Sequence, residues 1–290
     1  MNRKSEPLAW GLLLPTLIVL SVFVIYPAVQ SFLLSFQDVE PFSKRSFFIG
    51  MENYQVLLRS PDYWQSLRVT FFFLLLTVVP SLVLSLTVAV LLDSNPFFQN
   101  IFRTLFLLPV AISSSMAAML WIFIYNPTAG FLNYALDVLG MAGPNWLADP
   151  DWALVAVAVA TVWKELGFNI IFFLAGLTAI PTELKEAAEL DGASGWQSFR
   201  HVTLPLLSPT LFFVSVVSVI NSLQSFGQIH ILTTGGPMGE TTTLVYNLYR
   251  DAFVKFRTGL ASSEAVVLFL LIMMATLFQF RMAKKRVHYG

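Results

Sequence analysis

The chain has 290 residues, 56% of them hydrophobic and only 12% charged, against roughly 25% charged residues in an average soluble domain, so a lipid bilayer is the expected solvent. Its 17 basic and 17 acidic side chains cancel, which leaves no excess positive charge for nucleic acid and no acidic tail for a basic partner. There are no cysteines, excluding disulfides, thiolate metal sites and cysteine nucleophiles, and His201, His230 and His288 lie too far apart for a local metal motif.

Crossing the roughly 30 Å hydrocarbon core as a helix takes about 20 mostly apolar residues. Six such runs follow one another, at about 8–35, 67–92, 104–125, 152–180, 206–231 and 260–281. The chain is therefore expected to be an all-α, polytopic membrane protein, with a first helix and outer segment over 1–66 and a five-helix core over 67–290. The first run follows Arg3 and Lys4 as a secretory signal would, but it is too long for a signal h-region and no A-x-A-like cleavage site follows, so a retained membrane helix is expected. Pro15, Pro80 and Pro109 fall inside apolar runs, where each removes a backbone donor and kinks the helix.

Arg3 and Lys4 before the first run, with Arg281, Lys284, Lys285 and Arg286 after the last, favour both termini in the cytoplasm. Lys44, Arg45, Arg59, Arg250, Lys255 and Arg257 then lie outside, against the usual bias. On this orientation 36–66, 126–151 and 232–259 are outer segments and 93–103 and 181–205 inner ones, with Trp146 and Trp152 at the level of an outer aromatic belt.

Ionisable residues inside a span are costly and face a cavity or a partner. Lys164 and Glu165 interrupt the fourth run, beside Trp163 and ahead of Asn169. They fit either a polar patch on a transport path, with Trp163 stacking on a sugar or polyol face, or a structural ion pair to another helix. Adjacent helical residues point about 100° apart, so Lys164 and Glu165 are not expected to pair with each other. In the fifth run Asn221, Gln224 and Gln228 share a helix face, suited to solute hydroxyls or to a neighbouring helix. Ser113, Ser114 and Ser115 fit close helix packing better than a ligand site, and His230 is expected at an interface.

Residues 181–205 are unusually polar for an inter-helix loop in such a chain, and read as two short helices joined by a corner. Glu183 sits in the first turn of one, Gly192 suits its left-handed C-terminal cap, Ser194 and Gln197 form a capping box for the second, and Pro205 is expected to stop it. Trp196, Phe199 and Val202 are expected to face the membrane domain. A plain amphipathic linker would also fit.

The segment resembles the EAA signature of permease subunits of bacterial ABC importers: Glu-Ala-Ala, three residues, Gly, nine residues, then Ile-x-Leu-Pro. Glu186, Ala187, Ala188, Gly192, Leu204 and Pro205 match at that spacing, and Val202 stands where the family has Ile. The stretch Phe48-Ile49-Gly50-Met51-Glu52-Asn53-Tyr54, Leu107-Leu108-Pro109, Trp121-Ile122-Phe123, Gly235-Gly236-Pro237 and Thr241-Thr242-Thr243 are similar to the carbohydrate-type branch. The last third, with Tyr246, Tyr249-Arg250 and 261–286, most resembles first permeases of sn-glycerol-3-phosphate importers, a pattern shared with sugar and polyol systems.

The resemblance implies a type I importer permease fold in the bacterial inner membrane. It implies a coupling helix in which Glu186, Ala187, Ala188, Asp191 and Gly192 meet a cytoplasmic ATPase dimer. It also implies a second homologous permease and a periplasmic or lipid-anchored solute-binding protein, which Gly235, Gly236 and Pro237 could approach. No G-x-x-x-x-G-K-[ST] loop is present, so ATP and Mg are expected on the partner ATPase and no cofactor on this chain. An ion-coupled secondary transporter is the alternative, but no repeat or cluster of buried carboxylates is evident. H-E-x-x-H and G-x-S-x-G are absent, so no catalytic residue is expected.

Overall fold

A computed structural model describes residues 6–40, 45–94 and 96–284, and Arg3, Lys4, Lys44, Lys285, Arg286 and His288 lie outside them. In chain order it contains α1 (Glu6–Leu20), α2 (Tyr26–Leu34), β1 (Gln37–Val39), β2 (Ser46–Phe48), α3 (Glu52–Arg59), α4 (Pro61–Asp93), α5 (Pro96–Ala111), α6 (Ser114–Ile124) and α7 (Phe131–Val138). There follow α8 (Pro150–Thr178), α9 (Thr182–Leu190), α10 (Gly195–Ser198), α11 (Leu204–Leu206), α12 (Ser208–Leu223), α13 (Gly227–Leu232), α14 (Leu244–Tyr249) and α15 (Thr258–Ala283). Short π-helical turns at 21–25, 199–203 and 250–254 join α1 to α2, α10 to α11, and extend α14. The protein is an all-α polytopic membrane protein.

Among the described residues five helical stretches are long and apolar enough to span: Gly11–Leu34, Pro61–Asp93, Pro150–Thr178, Ser208–Leu232 and Thr258–Ala283. The third expected run, about 104–125, is not straight. Its halves, Thr104–Ala111 and Ser114–Ile124, meet at 109°. Ser113 has extended backbone and its hydroxyl accepts from the Met116 N–H at 3.2 Å, capping α6 at the break. The fifth run is also interrupted, because Gln224, Ser225 and Phe226 separate α12 from α13.

Pro205 does not stop the second helix of the polar loop, contrary to expectation. The π-helical turn shifts the bonding by one residue, so that the Leu204 N–H reaches Phe199 O, and Pro205 enters at the first turn of α11, where its missing N–H is harmless. Trp196 is likewise not buried against the membrane domain. It is 68% exposed, with its ring 5.5 Å from that of Phe199.

Two compact units divide the chain, one of residues up to Tyr63 together with Asn247–Phe269, the other of Trp64–Tyr246 with the segment from Leu270. In the first, the two-stranded hairpin β1–β2 pairs Gln37 with Phe48 and Val39 with Ser46. Gly50, in the left-handed region at φ 60°, turns the chain into α3. Buried Asn53 then donates to the Ser35 and Gln37 carbonyls at 2.9 and 3.0 Å, and the Tyr54 hydroxyl to Ser35 Oγ at 2.8 Å. The F-x-G-x-x-N-Y stretch is thus a staple holding α2, β1 and α3 together.

In the second unit the core lies where α4, α8 and α12 meet, with Ala89, Ile170, Phe173, Leu177, Leu207 and Val214 fully or almost fully buried. Lipid gives no hydrophobic drive between helices, so close approach and internal hydrogen bonds hold the bundle. A Cβ on Gly167 would strike the Phe106 carbonyl of α5, and one on Gly176 would stand 2.5 Å from Thr210 Oγ1 of α12. A polar seam crosses the same interface. Asn169 Nδ2 donates to Ser81 Oγ at 2.8 Å and reaches Ser218 Oγ at 3.4 Å, and the Thr77 and Ser222 hydroxyls are 2.8 Å apart.

Gly167→Leu forces α5 and α8 apart at a backbone contact and is expected to destabilise the detergent-solubilised protein by about 1–3 kcal/mol, the usual cost of overpacking. Thermal unfolding followed by circular dichroism checks this, with Gly11→Leu, at a position open to its surroundings, expected to leave the midpoint unchanged.

Candidate functional site

The two breaks face each other. A Cβ on Gly227, the first residue of α13, would lie 2.9 Å from Ser114 Cβ, the first residue of α6. Broken helices leave unpaired backbone groups, which lipid cannot satisfy, so such breaks occur inside protein or beside a wet cavity. Here they border a cavity of about 410 Å³ lined by Val110, Ser114, Thr161, Lys164, Glu165, Phe168, Asn169, Asn221, Gln224, Ser225, Phe226, Gly227 and Gln228. α8 supplies the floor with consecutive turns at 161, 164–165 and 168–169, while the α12–α13 break supplies the amides.

Six residues proposed for a transport path therefore meet in one place: Lys164, Glu165, Asn169, Asn221, Gln224 and Gln228. Lys164 and Glu165 form no ion pair with each other or with another described residue. Glu165 Oε2 is buried with no hydrogen-bond partner, which leaves an acceptor for a ligand or water at the wall. Asn169 belongs to both readings, since it lines the cavity and also ties α8 to α4 and α12. Gln228 is 5% exposed and fixed in the wall, whereas Asn221 and Gln224 are open.

Trp163 is not on the lining. Its ring meets Trp121 edge-on at 5.8 Å, in a file that continues through Tyr125 and Trp146 to Trp152. Turning one residue along a helix rotates the side chain by about 100°, which sends Trp163 to the α6 side when Lys164 faces the cavity. The Tyr125 hydroxyl donates to the Ala156 carbonyl at 2.8 Å and anchors this file to α8.

The elbow of residues 181–205 is built as its sequence suggests. At the end of α9 the Gly192 N–H donates to Glu189 O and the Ala193 N–H to Ala188 O, each at 3.0 Å, with Gly192 at φ 80°. This is a Schellman cap, which needs a residue tolerant of the left-handed region. Ser194 and Gln197 close a reciprocal capping box on α10. Lys185 Nζ, 2.9 Å from Asp93 Oδ2, ties α9 to the end of α4. Glu186, Ala187, Asp191 and Gly192 remain exposed, Ala188 is half-buried, and Leu190 and Trp196 present 89% and 68% of their surface. These apolar side chains stand open beside the carboxylates of Glu186, Glu189 and Asp191.

The Gly235-Gly236-Pro237 turn is wired from within, with a cis Gly236–Pro237 bond. The Thr242 and Thr241 hydroxyls donate to the Gly235 and Gly236 carbonyls at 2.8 and 2.6 Å, and Gln65 Nε2 donates to Met238 O at 3.0 Å. Gly235 itself is buried, and the residue held outward is Met238, 86% exposed.

Sequence reasoning missed the hydroxyl stripe of α4. Ser66, Thr70, Thr77, Ser81 and Ser85 are all buried, and their spacings of four and seven were a readable signal for one helix face. It also missed Thr161 and Ser225 on the cavity wall.

The family model described as binding-protein-dependent transport system inner membrane component matches residues 81–288. Across its whole length the chain is 40% identical to the sn-glycerol-3-phosphate transport system permease protein UgpA of Brucella abortus biovar 1, covering 100% of each. It is 38% identical to the protein of the same name from Agrobacterium fabrum, over 99% of this chain and 98% of that one. In fold it is similar to a chain of a bacterial alginate ABC transporter solved in complex with alginate pentasaccharide-bound periplasmic protein, at a TM-score of 0.86, 24% identity and coverage of 99% and 97%. Broken polytopic helices, a polar cavity at their breaks and full-length relatives among transport permeases agree, and the chain belongs to the binding-protein-dependent transport system inner membrane components, as a permease subunit of a bacterial ABC importer.

Proposed function

We propose that this permease forms one half of the path for an sn-glycerol-3-phosphate-type solute, a small polyol carrying a phosphate, and that a separate ATPase drives it through α9. The observation that carries this reading is the cavity where the two broken spans meet. It offers one ammonium, Lys164, for a phosphate, and the amides of Asn221, Gln224 and Gln228 with Asn169 for hydroxyls, while buried Glu165 accepts from a hydroxyl donor. The names of the full-length relatives support the same solute class.

A homologous second permease supplies the other wall, and a solute-binding protein delivers cargo to the outer face, where Met238 and the Gly235-Gly236-Pro237 turn stand. Both termini then lie in the cytoplasm, with the α9 elbow on the ATPase side. Glu186, Ala187, Ala188, Asp191 and Gly192 form its contact. ATP and Mg bind the ATPase alone. Closure of the ATPase dimer moves α9, the Lys185–Asp93 pair passes that displacement to α4, and α4 carries it to α8 and α12 through the buried polar seam.

Lys164→Ala removes the charge expected to meet the phosphate. A hydrogen bond to a charged group is worth about 1.5–3 kcal/mol, so uptake of sn-glycerol-3-phosphate by the reconstituted complex should fall about tenfold or more with assembly intact. Unchanged uptake kinetics would count against the pathway role.

Gly192→Val strains a left-handed position and Glu186→Lys reverses the charge of the elbow. Both variants are expected to insert normally yet lose solute-stimulated ATP hydrolysis or the ATPase itself. Co-purification and ATPase assays check this, and wild-type coupling in both would remove the assignment of α9.

A further inference from the structure

The basic residues Lys255 and Arg257 fit no part of the transport path. Together with Asp38, Asn53 and Gly259 they line a cavity of about 360 Å³. Its charged lining consists of two cations and one carboxylate. Lys255 Nζ is 2.7 Å from buried Asp251 Oδ1, but an ammonium has three protons and this side chain is 30% exposed, so it can serve a second acceptor. Among the described residues Arg257 and Asp38 have no ion-pair partner. Around these charges Phe253, Val254 and Phe256 are 66%, 60% and 55% exposed. Open aromatic and aliphatic side chains interleaved with basic ones are what a segment at the bilayer interface presents.

An apolar groove of about 430 Å³ lies further along the same helix, between Ala28, Val29 and Phe32 of α2 and Ala265, Val266 and Phe269 of α15. Gly259, on the polar cavity, and Val266, on the groove, are seven residues apart and so share a helix face about 10 Å apart along the axis. Both cavities border one seam, closed where Gly259 packs against the Gln37 carbonyl.

We propose that this seam binds a membrane phospholipid whose headgroup is zwitterionic with a primary ammonium, as in phosphatidylethanolamine. Arg257 and Lys255 hold the phosphodiester, Asp38 accepts from the ammonium, and one acyl chain lies in the groove. Charge complementarity selects this occupant. A soluble anion would leave Asp38 unmatched and the groove empty, and an apolar helix of another chain would bury Arg257 and Asp38 unpaired, a costly outcome. Phosphatidylcholine offers Asp38 no N–H donor, and phosphatidylglycerol offers no cation.

The full chain in detergent, titrated with phosphatidylethanolamine, phosphatidylcholine or phosphatidylglycerol of identical acyl chains and read by native mass spectrometry, tests the assignment. Wild type is expected to hold phosphatidylethanolamine about tenfold more tightly than the other two, the worth of one charge-assisted hydrogen bond. Asp38→Asn should erase that preference, Arg257→Glu should weaken all three lipids while Arg257→Lys restores binding, and Val266→Trp should block the groove for all. Unchanged melting temperatures identify folded variants. Equal retention of the three lipids by wild type, wild-type preference in Asp38→Asn, or wild-type affinity in Arg257→Glu or in Val266→Trp overturns the proposal. Neither solute nor ATPase enters this measurement, so its failure leaves the transport reading standing.

Discussion

A bilayer supplies no hydrogen bonds, so every backbone and side-chain polar group at that depth must find its partner within the protein. The rest of this structure follows from where that requirement is met and where it is relaxed. Along most of α4 it is met locally, with Thr70, Thr77 and Ser85 donating to carbonyls one turn back. It is relaxed at two places, the bend before Ser114 and the gap at 224–226, and these two places open onto the same cavity. A helix broken against lipid would leave its end groups unsatisfied, whereas broken against water it exposes them to use.

The mechanical coupling we propose depends on the same economy of polar contacts. The elbow is held by a Schellman cap and a capping box rather than by burial, which leaves its far face open. One ion pair, Lys185–Asp93, joins it to α4. A partly exposed pair of this kind is worth little in stability, so its value lies in direction. Deeper in, Asn169 bridges Ser81 and Ser218, and Thr77 meets Ser222, which ties α4, α8 and α12 together.

Much of this was legible in the residues. Apolar runs located the spans because burial in lipid demands unbroken hydropathy, and Gly192, Ser194 and Gln197 announced the elbow because caps require specific chemistry at fixed offsets. The polar residues within spans pointed to the cavity for the same reason, being too costly to place idly. The sharp bend before Ser114 was not legible. Its flanks are as apolar as any straight span, and only tertiary packing against α13 decides that Ser113 caps a new helix. Trp163 was misplaced because a helix turns its neighbours to different faces, and its partner Trp121 lies on another element. Trp196 was assigned inward by its apolar character alone, whereas it is 68% exposed.

The absence of native cysteine makes the central claim, that the two breaks enclose a water-filled path, directly measurable. Single cysteines placed at Asn221, Gln224 and, as a lipid-facing control, Phe213 can be exposed to a membrane-impermeant thiol reagent in proteoliposomes, with and without sn-glycerol-3-phosphate, binding protein and ATP. Labelling at 221 and 224 that slows under turnover, with Phe213→Cys inert throughout, is the predicted result. Inert thiols at 221 and 224 in every condition would contradict it.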